Sequence, residues 1–96
     1  MRLTDVIWKH QFVEKLALKH RISVEEAEDV LFSKRTHFKR VQKGRVRSED
    51  LYSALGQTGE GRYIVVFFVC KQGTNALPIS ARDMSGAERG YYEKKR

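Results

Sequence analysis

The stretch Ile79-Ser80-Ala81-Arg82 reads as a strand that ends on an arginine, and Glu88, Arg89, Tyr91 and Tyr92 follow it on a helical pattern. With His20 and Arg62, these residue types suit the cleavage of a ribose–phosphate chain. The ribose 2′-OH attacks its own phosphate when one group takes its proton, another protonates the leaving oxygen, and cations stabilise the charge between them. His20, Glu49, Glu88 and Tyr92 are candidate proton carriers. Arg62 and Arg82 are candidate stabilisers, because a guanidinium fork matches phosphate geometry. Each also has a plain structural use. His20 suits the negative end of a helix, and Glu88 fits a capping box. Arg82 has Asp83 or an acid of the second helix as a partner, and one of the two tyrosines is expected in the core.

The charge points the same way. Nineteen Lys and Arg against twelve Asp and Glu give a net +7 over 96 residues. Such an excess favours a polyanionic partner, nucleic acid first, although an acidic protein suits it as well. The cations are uneven. Lys34 to Arg47, KRTHFKRVQKGRVR, holds seven positive side chains and no acid. Strand alternation puts Lys34, Thr36 and Phe38 on one face and Arg35, His37 and Lys39 on the other. Edge strands carry lysines against aggregation, but this ribbon carries more than that needs. Lys34, Arg35, Lys39, Arg40, Arg45 and Arg47 are therefore candidate phosphate contacts. Lys19, Arg89 and the tail Lys94-Lys95-Arg96 add to the field.

The elements that must position these residues form an α+β pattern. Lys9 to His20 reads as a helix, with Phe12, Val13, Leu16 and Ala17 on one side. Leu3 to Trp8 suits a short strand or the start of that helix. Ser23-Val24-Glu25-Glu26 is a capping box that opens a second helix, with Val24, Ala27, Val30 and Leu31 on one face and acids on the other. Thr36–Val41, Leu51–Gln57, Arg62–Cys70 and Ala76–Ala81 read as strands, separated by turns at Lys43-Gly44, Gly59 to Gly61 and Lys71 to Asn75. The run RYIVVFFVC is apolar on both faces and so predicts a central strand covered on both sides. Pro78 places the last strand at an edge or a bulge. Ser85-Gly86-Ala87-Glu88 is a second capping box, opening the final helix. The expected fold is thus two N-terminal helices, a three- to four-stranded antiparallel sheet and a C-terminal helix, in one domain over residues 1–96.

Other chemistries find no pattern. His10 and His20 are too far apart for a helical metal pair, His37 is remote, and the single Cys70 sits in an apolar run that predicts a buried, inert thiol. No cofactor is expected, and no glycine-rich phosphate loop is present. The first ten residues hold charges and no signal-peptide core, and the longest apolar run, Tyr63 to Cys70, is too short to span a bilayer. A soluble cytoplasmic protein without a membrane partner is expected.

Three stretches in order resemble a known family. The first is Trp8, then Lys19-His20, Ile22-Ser23 and Glu25-Glu26-Ala27. The second is Tyr52-Ser53-Ala54-Leu55-Gly56 with Gly61-Arg62, and the third is Ile79-Ser80-Ala81-Arg82 with Glu88-Arg89 and Tyr92-Glu93. Together they resemble the BrnT-type toxins of bacterial type II toxin–antitoxin systems. The resemblance implies a compact fold akin to the RelE-type ribonuclease toxins, RNA cleavage without a metal, and a hetero-oligomer with a BrnA-like antitoxin that carries a DNA-binding domain. It marks Lys19, His20, Arg62, Arg82, Glu88, Arg89 and Tyr92 as the matching polar positions. The chain departs from the family pattern at Lys9, where the family has aspartate, and at Phe12 and Leu16, where it has lysine and asparagine. Arg21 replaces a glycine, and Leu77-Pro78 stands where an arginine is frequent.

The first expectation is a metal-independent endoribonuclease toxin that arrests translation, with His20, Arg62, Arg82, Glu88 and Tyr92 as catalytic residues. Its alternatives are a non-catalytic toxin fold that holds an antitoxin, and a plain nucleic-acid-binding domain. All three need cations that are distant in sequence to gather in one cleft. Arg89 and Tyr92, three apart, are expected to share a face towards Arg82.

Overall fold

The structure is a computed structural model and describes residues 1–46 and 49–95. Its elements run β1 (Asp5–Val6), α1 (His10–His20), α2 (Val24–Phe32), β2 (His37–Gln42), β3 (Leu51–Gln57), β4 (Tyr63–Lys71), β5 (Asn75–Asp83) and α3 (Gly86–Lys95). The strands form one sheet in the order β1-β5-β4-β3-β2. The α+β class is as expected, and β2 to β5 pair antiparallel. The sheet has a fifth strand, however, and is mixed. β1 pairs parallel to β5 through Asp5↔Asn75 and Val6↔Ala76. Two residues carry no readable alternation, so only docking against the start of β5 makes them a strand.

β4 is the central strand because both of its faces are apolar. Ile64, Val66, Phe68 and Cys70 pack in the cluster that holds Leu16, Ile22, Ala27, Val30 and Leu31 of the α1–α2 layer. Val65 packs with Leu55 and Tyr92 in a second cluster beneath α3. Cys70 lies in the first cluster, and burial pushes its thiol pKa up, which disfavours the thiolate. The sheet is thus sandwiched, and α3 covers only part of its second face.

Local chemistry fixes the helix ends. Glu26 N–H donates to Ser23 Oγ and Ser23 N–H to the Glu26 carboxylate, the reciprocal pair of a capping box. Ser85 and Glu88 repeat the arrangement at the start of α3. The start of α1 is weaker, since Lys9 at its N-cap offers no capping side chain. Its end closes through Ile22 N–H on the Leu16 carbonyl, with both side chains buried, and Arg21 takes the left-handed conformation at φ 54°.

Two sequence features shape the sheet. In β5 the register slips between Phe67↔Ser80 and Phe68↔Pro78, so Ile79 is the bulged residue. Pro78 has no N–H for the ladder, and the strand bulges beside it; Lys15 Nζ donates to the Ile79 carbonyl at 3.3 Å. At Gly56 a Cβ would lie 2.6 Å from Thr36 Oγ1 and 2.8 Å from Val30 Cγ1, so glycine lets α2 approach the sheet. Among the described residues no helix is long and apolar enough to cross a membrane.

Candidate active site

The strand pleat sends His37 and Lys39 of β2, Ser53 and Leu55 of β3, Val65 and Phe67 of β4, and Arg82 of β5 to the face that α3 covers in part. Between α3 and the open part of that face lies a groove of about 490 Å³. Its floor is Leu55, Val65 and Phe67, its α3 wall is Ala87, Glu88 and Tyr91, and Lys39 and Arg82 stand at its sides. An apolar and aromatic floor under a cationic rim suits a nucleobase stacked below its own phosphate.

Arg82 is the best-defined cation of the groove. Its Nη1 and Nη2 donate to the two oxygens of Glu88 at 2.7 and 2.9 Å, and Nη1 also donates to the Asp83 carbonyl at 3.2 Å. Its guanidinium carbon lies 5.5 Å from the Phe67 ring centroid. These bonds use three of the five N–H groups of the fork, leaving Nε–H and one Nη2–H for a ligand. The Arg82 side chain is 42% exposed, so a phosphate has access to it. The hydrogen bond from Arg82 lowers the Glu88 pKa from 4.5 to about 2, and the same bond raises that of Arg82. Glu88 is therefore a fixed anion that aims Arg82, and its depressed pKa suits it poorly to accept a proton near neutrality.

Arg62 sits elsewhere, at the corner where α1 meets α2. Its Nε donates to Asp83 at 2.8 Å, its Nη1 to the Arg21 carbonyl at 2.7 Å and to Glu26, and its Nη2 to the His20 carbonyl at 3.0 Å. The Asp83 bond raises the Arg62 pKa and lowers that of Asp83. Asp83 thus joins the two arginines, accepting from Arg62 through its carboxylate and from Arg82 through its carbonyl.

Residues 8–88 match the family described as the ribonuclease toxin, BrnT, of type II toxin–antitoxin systems. The chain belongs to the BrnT family. The crystal structure of the Brucella abortus ribonuclease toxin BrnT has the same fold, with a TM-score of 0.61 and 18% identity over 85% of this chain and 97% of that one. No curated protein matches the sequence.

The BrnT-like positions do not converge on one point. Arg82 and Glu88 line the groove together. His20 lies at the end of α1, where its carbonyl holds Arg62, so these two form the corner rather than the groove. Tyr92 is 1% exposed and packs in the cluster of Leu55 and Val65 with its ring edge-on to Tyr63, which removes it from contact with a substrate. Arg89 turns away from Arg82, its guanidinium carbon 4.0 Å above the Tyr63 ring. The expected shared face of Arg89 and Tyr92 towards Arg82 is therefore corrected: Glu88 and Tyr91, also three apart, form the groove-facing side of α3. Arg82 takes its carboxylate from α3 and not from the second helix.

The basic ribbon is divided as well. Lys39 lines the groove, and Arg40 borders it while reaching Asp50 at 3.5 Å. Lys34 and Arg35 are exposed in the turn before β2, and Arg45 is exposed after it, so none of the three is on a strand. Lys19 is exposed in the last turn of α1. Arg47 and Arg96 lie outside the described residues. Glu49 pairs with Lys71, away from the groove. Among the described residues no three His, Cys, Asp or Glu gather as a metal site.

Tyr91, which lines the groove, and His37 beside it were not among the candidate residues. The hydroxyl of Tyr91 lies 3.0 Å from His37 Nε2, and the rings meet edge-on with centroids 5.2 Å apart. The alternation of β2 put His37 on the same face as Lys39. Nothing local told Tyr91 from Tyr92, because both follow Glu88 by about one helical turn.

Proposed function

We propose that this chain is a metal-independent endoribonuclease toxin that cleaves RNA in the groove between α3 and the sheet and thereby arrests translation. The observation that carries the reading is Arg82: Glu88 holds its fork in place, and two N–H groups remain for the non-bridging oxygens of a phosphate. Charge builds on those oxygens in the transition state, and a pre-aimed guanidinium stabilises it there without reorganisation. Lys39 adds a second cation, and the Phe67 floor offers a stacking surface. In this reading the protein acts in the cytoplasm, and a BrnA-like antitoxin with a DNA-binding domain holds it inactive in a hetero-oligomer.

The test is RNA cleavage by the purified protein in EDTA, beside Arg82→Ala. The expected result is cleavage by the parent and a loss of about a hundredfold in the variant, the usual effect of removing one transition-state donor. A parent that leaves RNA intact under these conditions overturns the reading. A second reading has its own support, since Arg82 already has its carboxylate and the groove floor is apolar: a non-catalytic toxin fold that grips an acidic antitoxin segment. Tight, salt-sensitive antitoxin binding without any cleavage favours it.

A further inference from the structure

Tyr91 and His37 are 54 positions apart in sequence, on α3 and on the edge strand β2, and the fold sets them in hydrogen-bond contact beside the groove. Tyr91 lines the groove and is 41% exposed, so a bound RNA has access to its hydroxyl. Residues 89–96 lie beyond the segment that matches the BrnT family, so the pairing rests on this chain's own geometry. The groups around it come from four elements. Glu88 precedes Tyr91 by one turn of α3, and the Lys95 ammonium lies 5.6 Å from the Tyr91 ring centroid. Lys39 is two residues from His37 on the same face of β2, and Leu55 of β3 stands opposite His37. Arg82 of β5 lines the same groove. A phosphate among Lys39, Lys95 and Arg82 is favoured by charge, and Glu88 is already engaged with Arg82.

We propose that Tyr91, backed by His37, is the proton acceptor for RNA cleavage in this groove. The proposal rests on the ribonuclease reading above. With Nε2 of His37 unprotonated, the Tyr91 O–H donates to it and the phenol oxygen is left as an acceptor. The ribose 2′-OH gives its proton to that oxygen as the Tyr91 proton passes to His37. The 2′ oxygen bonds to phosphorus, and the bond from phosphorus to the 5′ oxygen breaks. The leaving oxygen takes a proton from water, and the hydroxide so formed takes the proton from the His37 imidazolium. The products are a 2′,3′-cyclic phosphate and a 5′-hydroxyl end, with the pair restored. Tyr91 is the catalytic residue because it touches the substrate. His37 is a positioning residue, which acts through the phenol and holds the proton.

Single-turnover cleavage of an RNA oligonucleotide by the full chain in EDTA, from mildly acidic to alkaline pH, tests this. Tyr91→Phe removes only the hydroxyl, and a loss of about a hundredfold is expected. His37→Gln should lose about tenfold and should also change the shape of the pH–rate profile. Both variants are expected to remain folded, as circular dichroism checks, and the rates are compared at saturating protein so that a change in RNA affinity does not enter them. Cleavage by Tyr91→Phe at the parental rate overturns the proposal and leaves the ribonuclease reading standing. A His37→Gln profile with the parental shape overturns the relay, because a merely structural histidine lowers the rate without changing its pH dependence. A parent that does not cleave RNA overturns both readings.

Discussion

Arg62, just before β4, and Arg82, on the neighbouring β5, are the same residue type and are joined through Asp83, yet the fold uses them differently. Arg62 places four of its five N–H groups on the end of α1, on α2 and on β5, tying three elements at one corner. Arg82 bonds only within the segment that follows it, to Asp83 and Glu88, and keeps two N–H groups beside the groove. An arginine that resembles a phosphate ligand in sequence is therefore sorted by where its donors go. One that bridges elements holds the fold, and one that is aimed by a neighbour keeps donors open to the groove.

The largest expected effect separates the two roles directly. Arg62→Ala should cost about 3 kcal/mol of stability, because it leaves two carboxylates and two carbonyls without their shared donor at a corner where the Arg62 side chain is only 29% exposed. Arg82→Ala should cost about 1 kcal/mol, the scale of a partly exposed pair. Urea unfolding of both variants checks the contrast, and equal losses would break it.

A smaller effect is the pH response of the Arg82–Glu88 pair. The folded Glu88 pKa, about 2, lies below its ordinary 4.5. Its contribution is therefore complete above the ordinary value and fades as pH falls through the folded one. Acid unfolding followed by circular dichroism should show the parent losing more stability over that interval than Glu88→Gln, by about 1 kcal/mol after allowance for solvent screening. Parallel curves would place the pair outside the stability balance.

The smallest effect concerns the corner that Arg62 clamps. Arg21 holds φ 54°, and a side chain in that conformation costs about 1 kcal/mol. Arg21→Gly should raise stability by about 0.5 kcal/mol, since the added freedom of the unfolded chain offsets part of the gain. Thermal unfolding measures it, and a destabilised variant would mean that the Arg21 side chain contributes contacts of its own.

Much of this architecture was readable in the residues. The two capping boxes start α2 and α3 where Ser23 and Ser85 predict, the double-sided apolar run of β4 puts it at the centre, and Pro78 stands beside the bulge. The site was only partly legible. Arg82, Glu88 and Lys39 do line one groove, whereas Arg62, His20 and Tyr92 are drawn into the corner and the core. Tyr91 and His37 became visible only once α3 docked.

By itself, the order of residues determined the α+β class, the helix starts, the strand that both layers cover and the basic excess, because capping, alternation and charge act over a few positions. The tertiary structure alone decided which arginine meets the groove, which of two adjacent tyrosines is buried, and that a two-residue segment pairs in parallel with β5. Those outcomes depend on how α3 and the α1–α2 corner pack against the sheet, and packing joins positions that no local spacing connects.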